Sequence, residues 1–258
     1  MQLNDCVDAF KRDPLSSGFI LDFDGTLSVI VSEPDEAVAV DGVAELLAEL
    51  AAKYAIVALV SGRRAEQLSE KLNVSGLRYI GLYGAEEIID SVLVQAAEAV
   101  RWRSIAAHLA LEAQGVIEAQ GWDGCLVEDK DLSVSLHFRN AKDIDVAGQG
   151  LMSWAHGAAS RHGFTASRGR MVVELRPVGI SKADAFDRVV DDLALKTVVL
   201  AGDDLTDLES MIQAGEKADV DVLRVAVDSD ESPEGLHQHS DIQVAGPLAL
   251  VDILKGFL

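Results

Sequence analysis

Strand-length apolar runs alternate with helical patterns along this chain, and this alternation limits the folds it can adopt. In the first third, the runs FILDF, YAIVALV and LRYIGLYG are separated by DGVAELLAELAAK and RRAEQLSEKL, whose apolar residues recur at helical spacing. Strands that are apolar on both faces and joined by helices form a parallel sheet that helices cover on both sides. The pattern predicts an α/β fold, with Asp41 capping the first of these helices.

The last third of the chain repeats the alternation. Helical patterns at 181–195, 204–215 and 247–257 surround apolar runs at 197–202, 221–228 and 240–246, and Pro247 stands at the first turn of the closing helix. These segments are expected to complete the same Rossmann-like parallel sheet.

The middle of the chain has a different pattern. After a predicted helix at about 92–119, the stretch CLVEDKDLSVSLHFRN alternates apolar and polar residues, as a half-buried antiparallel strand does. A helix at about 143–162 and a strand pair, FTASRG and RMVVELRP, follow. We therefore predict a smaller α+β cap domain, 89–175, inserted into a core formed by 1–88 and 176–258.

Charge and composition narrow the partners. The chain has 22 Lys and Arg against 43 Asp and Glu, a net charge of −21, which repels nucleic acid and anionic membranes and is also typical of halophilic surfaces. Cys6 and Cys125 are far apart, which argues against a disulfide framework or a thiolate metal site. The apolar runs are too short to span a bilayer, and the N-terminal stretch lacks the apolar block of a secretion signal. We expect a cytoplasmic monomer that acts on a small molecule.

Asp22 and Asp24 follow the first apolar run in FILDFDGTL. Asp-Gly between alternating apolar residues is a hairpin signal, and LSVIV could be the returning strand. Alternatively, the two carboxylates stand at the end of a buried strand and share a cation. The stretch alone leaves both interpretations open.

Other polar segments follow strands in the same way. Ser61, Gly62 and Arg63 follow YAIVALV, Lys182 opens a helix, and the acids Asp203 and Asp204 follow TVVLAG. Ligands of open α/β sheets bind at the carboxyl ends of the strands, so these groups are predicted to share one crevice.

A phosphoryl group is the substrate that uses such a set. Asp22 can attack phosphorus, and Asp24 can protonate the leaving alcohol and later activate water. Asp22, Asp203 and a backbone carbonyl near Asp24 offer the hard oxygen ligands that Mg²⁺ prefers. Ser61, the following N–H groups at Gly62, and Lys182 can bind the phosphate, which a strongly acidic protein must hold at a locally positive site. Arg63 is a candidate substrate contact.

Each element also has a simpler interpretation. SGR could be a turn with a helix cap, Lys182 a solvated helix residue, and His137 a surface residue of its strand. GDDLTDLES could be a calcium-binding loop, but it lacks the oxygen ligand at the third position and the glycine at the sixth that such a loop requires. A phosphoryl-accepting receiver domain also collects acids and a Lys at strand ends, and a sugar-binding protein is a further alternative. The coincidence of all four segments favours catalysis.

The segments LDFDGTL, VSGR, Lys182 and AGDDLTD resemble, in order, the four motifs of haloacid dehalogenase superfamily phosphatases. This resemblance implies that Asp22 is the nucleophile, Asp24 the acid/base and Asp203 a Mg²⁺ ligand supported by Asp204 and Asp207. VEDKDLSVSLHFR resembles a cap-domain segment of trehalose-6-phosphate phosphatases, and VVELRP resembles the strand that leads back to their core. The whole resemblance spans about 19–255. The sugar-binding residues that this implies are Glu128, Lys130, Arg139 and Glu174.

Three positions depart from that family's pattern: Tyr83 replaces a histidine, Ala183 a glycine and Leu208 an acid. The resemblance implies a Mg²⁺-dependent phosphatase that forms an aspartyl-phosphate and releases phosphate from trehalose 6-phosphate, with the cap closing over the sugar. Phosphates of sucrose, glucosylglycerol or mannosylglycerate are the alternative substrates.

Overall fold

A computed structural model describes residues 1–31, 34–169, 171–229 and 232–258 of the chain. Two compact units are present: one comprises Met1–Val94 with Ser181–Leu258, and the other comprises Gln95–Ile180. The predicted division lay at 88/89 and 175/176. At the first boundary the larger unit extends further, because the chain runs through two more strands of its sheet after residue 85. At the second boundary the smaller unit extends further, to Ile180.

The strands and helices have the following bounds. The strands are β1 (Ser17–Leu21), β2 (Ile56–Val60), β3 (Arg78–Gly81), β4 (Glu86–Ile89), β5 (Val92–Gln95), β6 (Leu126–Asp129), β7 (Val134–His137), β8 (Phe164–Arg168), β9 (Val172–Pro177), β10 (Thr197–Gly202), β11 (Asp221–Val227) and β12 (Ile242–Val244). The helices are α1 (Leu3–Arg12), α2 (Val43–Lys53), α3 (Ala65–Leu72), α4 (Ala99–Gln120), α5 (Ile144–His162), α6 (Lys182–Asp192), α7 (Leu205–Glu216) and α8 (Pro247–Lys255).

The sheet of the larger unit has the strand order β12-β11-β10-β1-β2-β3-β4-β5. Neighbouring strands from β12 to β3 are parallel, and β4 runs antiparallel to β3. The predicted parallel α/β core is therefore confirmed. Because β1 pairs in parallel with both β10 and β2, the hairpin interpretation of FILDFDGTL is wrong. The carboxyl ends of these three strands lie side by side.

Both faces of the central strands β1, β2 and β10 are buried, which explains why these strands are uniformly apolar. Phe19 and Leu21 of β1 pack with α1, α2, α3 and α8, whereas Ile20 packs with α6 and α7 on the opposite face. Phe10 of α1 makes edge or tilted ring contacts with Phe19, Tyr54 and Phe257, at centroid distances of 4.8 to 5.1 Å. Such aromatic contacts add to the stabilisation that apolar burial gives.

The smaller unit has an antiparallel sheet with the order β6-β7-β9-β8. Val134 and Leu136 of β7 pack with Leu109 of α4 and Leu151 of α5. The intervening residues of β7 therefore point to the other face of the sheet. None of the helices in the described ranges is long and apolar enough to cross a membrane.

Several local predictions differ from the structure. Asp41 does not cap α2: the helix begins at Val43 after Gly42, whose φ of 81° suits glycine. The predicted helix at 92–119 starts too early, because residues 92–95 form β5. The stretch 125–140 forms two strands, since a tight turn at 130–133 separates β6 from β7. The helix at 143–162 and the strands of the pair β8 and β9 are confirmed; Arg170 lies outside the described residues.

Candidate active site

Asp22 and Asp203 lie directly after the neighbouring strands β1 and β10. Their exposed fractions are 3% and 2%. The Asp22 backbone N–H donates to the carbonyl of Ala201 at 3.0 Å, which continues the sheet pairing by one residue. Carboxylate oxygens of Asp22, Asp203 and Asp207 lie within 4.8 Å of one another.

Lys182 joins these acids. It is the first residue of α6, whose N-cap Ser181 accepts a hydrogen bond from the Asp184 N–H, and it is 4% exposed. Its Nζ lies 2.8 Å from Asp22 Oδ1 and 2.9 Å from Asp207 Oδ1. One buried cation therefore serves several buried carboxyl groups.

The turn between β10 and α7 fixes Asp207. Its Oδ2 accepts the backbone N–H groups of Asp203 and Asp204, at 3.1 and 3.2 Å. Asp204 is the N-cap of α7 and accepts from the Thr206 and Asp207 N–H groups. Asp204 and Asp207 thus form a reciprocal capping box that holds the end of β10 in place.

Asp203 is positioned by groups that follow β1 and β11. Ser229, after β11, donates its hydroxyl to Asp203 Oδ2 at 2.8 Å, and Thr26 donates to Oδ1 at 3.4 Å. The neighbouring Gly25 has φ 76°, and a Cβ there would lie 2.1 Å from Asp203 Oδ2. Only glycine fits both that conformation and that contact.

Burial raises the pKa of several of these acids. It raises the pKa of Asp22 to about 8 and that of Asp203 to about 8, with neighbouring aspartates adding to the effect and Lys182 opposing it. Burial also raises the pKa of Asp207 well above its usual value. For Lys182, burial alone would lower the pKa, but Asp204, Asp207 and Asp22 together raise it. When all of these carboxyl groups are ionised, their negative charge exceeds the single positive charge of Lys182.

This donor set fits a hard divalent cation. Buried carboxylates offer the oxygen ligands that Mg²⁺ selects, and a cation would offset the charge that Lys182 alone does not balance. Asp22 and Asp203 are the side chains of the predicted metal set that the structure brings together. The Asp24 side chain, also predicted to bind the metal, contacts Arg63 instead and is not part of the carboxylate cluster.

Asp24 and Arg63 form a two-point ion pair. Arg63 Nε lies 2.6 Å from Asp24 Oδ2, and Nη2 lies 2.7 Å from Oδ1. Ser61, directly after β2, is buried, and its hydroxyl oxygen accepts the Arg63 backbone N–H at 3.1 Å. The SGR segment and the DFDG segment are therefore neighbours, as the strand order predicts.

Tyr83 lies against Gly62. A Cβ on Gly62 would be 2.6 Å from the Tyr83 hydroxyl oxygen, and the Tyr83 N–H donates to the Ser61 carbonyl at 3.0 Å. Tyr83 itself has φ 60°, an uncommon conformation for a large side chain. The residue that departs from the family pattern thus packs on the candidate phosphate-binding loop.

The candidate sugar-binding residues lie in the smaller unit. Lys130 Nζ is 3.4 Å from Glu174 Oε1 and 3.9 Å from Glu128 Oε2. His137 Nε2 is 2.9 Å from Glu128 Oε2. Arg139 is exposed beyond the end of β7. Glu128, Lys130 and Glu174 thus form one cluster on the polar side of the antiparallel sheet, and His137, which sequence reasoning set aside, belongs to it.

Sequence reasoning also missed Ser229 and Thr26. Ser229 follows a parallel strand, so the strand-end rule that found Asp203 could have found it. Thr26 lies within the quoted DFDGTL motif without an assigned role. The other two departures from the family pattern are buried: Ala183 in α6 and Leu208 in α7, where Leu208 packs in the core between α6 and α7.

Comparisons with known proteins show the family to which the chain belongs. A family model described as Trehalose-phosphatase matches residues 20–242. A probable trehalose-phosphate phosphatase of Sinorhizobium fredii is 30% identical over 207 residues, which cover 79% of this chain and 76% of that protein. An uncharacterized glycosyl hydrolase of Mycobacterium tuberculosis is 35% identical over 201 residues, or 72% of this chain, but the match spans 14% of that protein's length.

A solved structure shares the fold. The C-terminal domain of Candida albicans trehalose-6-phosphate phosphatase matches with a TM-score of 0.80 at 18% identity, covering 100% of this chain and 96% of that chain.

Proposed function

Because the chain belongs to the trehalose-phosphatase family, we propose that it is a Mg²⁺-dependent phosphomonoesterase that releases phosphate from trehalose 6-phosphate. The observation that supports it best is the burial of Asp22 and Asp203 at the ends of adjacent strands, with Lys182 2.8 Å from the candidate nucleophile.

Asp22 is the proposed nucleophile. An oxygen of Asp22 forms a bond to phosphorus while the bond from phosphorus to the sugar oxygen breaks, and the leaving oxygen takes a proton from Asp24. Asp24 then removes a proton from water, which attacks phosphorus and releases phosphate and Asp22. When bound, Mg²⁺ supplies positive charge that keeps the carboxyls ionised and offsets the charge of the ester.

The surrounding groups bind and orient the phosphate. Lys182 already neutralises part of the Asp22 charge, so a second anion can approach. The Ser61 hydroxyl oxygen accepts from Arg63, and its hydrogen is then directed to a phosphate oxygen. Arg63 fixes the rotation of Asp24 through both carboxylate oxygens. Each of these groups thus has a separate role in the phosphoryl transfer.

We propose that Glu128, Lys130, Arg139 and Glu174 bind the sugar. A cation between two carboxylates offers both donors and acceptors to hydroxyl groups. Glu174→Gln is expected to raise KM for trehalose 6-phosphate while leaving the hydrolysis of p-nitrophenyl phosphate, which lacks the sugar, unchanged. An equal effect on both substrates would contradict a role in sugar binding.

The experiment that tests the reaction measures phosphate release from a panel of sugar phosphates with and without Mg²⁺. We expect repeated turnover of trehalose 6-phosphate only with Mg²⁺, loss of activity in Asp22→Asn, and wild-type activity in the exposed control Asp41→Asn. Faster release from the sucrose, glucosylglycerol or mannosylglycerate phosphates would overturn the substrate assignment. Retained activity in Asp22→Asn would overturn the nucleophile.

A further inference from the structure

Two helices of the smaller unit bring two histidines and a glutamate together, away from the sheet face that carries Glu128 and Glu174. His108 and Glu112 lie on α4, and His162 is the last residue of α5. Their ligand atoms all lie within 4.8 Å of one another. We propose that His108, Glu112 and His162 form a binding site for Zn²⁺.

The donor chemistry selects the metal. Imidazole nitrogens suit Zn²⁺ and related late transition metals, whereas Mg²⁺ and Ca²⁺ prefer oxygen ligands throughout. Two histidines and one glutamate form a three-ligand set that zinc accepts with an open fourth position. This site therefore differs in kind from the all-carboxylate cluster around Asp22, which fits Mg²⁺.

The three side chains need to move little to bind a metal ion. His108 Nε2 lies 3.9 Å from Glu112 Oε2, because residues four apart share one side of a helix. The rings of His108 and His162 are 5.5 Å apart between centroids. Tetrahedral ligands with bonds of about 2.1 Å stand about 3.4 Å from one another. The His108 side chain is 63% exposed and can rotate to close that difference.

Arg161 orients the glutamate. Its Nη2 lies 2.8 Å from Glu112 Oε1, whereas the other oxygen, Oε2, faces His108. Metal-binding carboxylates are commonly held by a second partner in this way. The positive charge of Arg161 also opposes a cation nearby, so we expect weaker binding than at structural zinc sites.

The test is a calorimetric titration of the full chain with Zn²⁺ in millimolar Mg²⁺, which competes with Zn²⁺ for the carboxylate cluster equally in every variant. The wild type is expected to bind one Zn²⁺, and the double variant His108→Gln/His162→Gln to bind it at least about tenfold more weakly. His156→Gln removes an exposed histidine of α5 outside the cluster and should bind as the wild type does. Equal binding by the wild type and the double variant would overturn the proposal.

A second measurement locates the ion. Zn²⁺ held by both helices should slow amide hydrogen exchange in α4 and α5 of the wild type and leave it unchanged in the double variant. Slowing that is the same in both proteins would contradict the site. If the double variant does not fold, His108→Gln alone gives the same comparisons, because its side chain is mostly exposed.

Discussion

Arg63 binds both oxygens of Asp24, with Nε 2.6 Å from Oδ2 and Nη2 2.7 Å from Oδ1. The Asp24 side chain is 40% exposed, so packing alone does not fix its rotation. A planar guanidinium sets both the position and the rotation of a carboxylate, whereas an ammonium provides only a point charge. The pair therefore holds the ionised Asp24, the form that accepts a proton from water in the second step.

Arg63→Lys should retain the charge but lose the two-point contact. We expect kcat for trehalose 6-phosphate to fall by about 10- to 100-fold, since small misplacements of a reacting group cost rates of that order. Arg63→Ala should lose at least as much. Steady-state kinetics of both variants provide the measurement, and wild-type kcat in Arg63→Lys would show that the fork geometry is not needed.

Mg²⁺ binding should release protons. Burial raises the pKa of Asp22 and Asp203 to about 8, so below that pH the metal-free cluster holds protons that a cation must displace. The affinity for Mg²⁺ is therefore expected to rise as the pH increases from about 6.5 to about 8.5. Calorimetry in buffers of different ionisation enthalpy measures the released protons. Equal affinity at both pH values without proton release would refute this electrostatic account.

Gly25→Ala should disrupt the site by more than the conformational cost of placing alanine at a positive φ. Gly25 has φ 76°, and a Cβ there would lie 2.1 Å from Asp203 Oδ2. Gly42 has φ 81° with nothing within 4 Å of an added Cβ, so Gly42→Ala isolates the conformational cost of about 1 to 2 kcal/mol. We expect Gly25→Ala to lose phosphatase activity and Gly42→Ala to keep it. Similar activity in the two variants would argue against the steric contact.

Asp241 should stabilise the fold at neutral pH. Burial favours its protonated form, but hydrogen bonds from Arg224 outweigh this and lower its pKa to about 2. Because the folded pKa lies below the unfolded one, the stabilisation is complete above about pH 4 and is lost as the pH falls to about 2.

Asp241→Asn is expected to lower the free energy of unfolding at pH 7 by about 1 to 2 kcal/mol, and this difference should narrow in acid. Urea unfolding at pH 7 and pH 3 provides the measurement. The exposed Asp252, which pairs with Lys255 at 3.1 Å, offers the control Asp252→Asn with no change at either pH. A difference that does not depend on pH would contradict the pKa argument.

Much of the fold follows from local pattern. Periodicity identified the parallel core because its strands are buried on both faces, and a residue such as Ile20 must be apolar whichever way it points. Boundaries were less predictable. Residues 92–95 have a composition that suits a helix or a strand, and pairing with β4 decides between them. Asp41 has a capping side chain, but the helix starts after Gly42 instead.

The candidate site was predictable where strand ends determine position. Asp22, Ser61 and Asp203 follow strands, so topology alone brings them near one another. The partner of Asp24 was not predictable, because the contact with Arg63 depends on the paths of two turns. The packing of Tyr83 on Gly62 was also not predictable from the sequence. It depends on the positive φ of Tyr83, a backbone conformation that large side chains rarely adopt.

Strands β1 and β10 are neighbours in space but lie far apart along the chain, with the whole smaller unit encoded between them. During synthesis on the ribosome, Asp22 emerges before Lys182 and Asp203, so neither can lie beside it at first. Until those residues have been made, the nascent protein carries its proposed nucleophile without the groups that surround it in the folded site. The proposed active site can form only after the chain has been made past Asp207, when β10 can join β1.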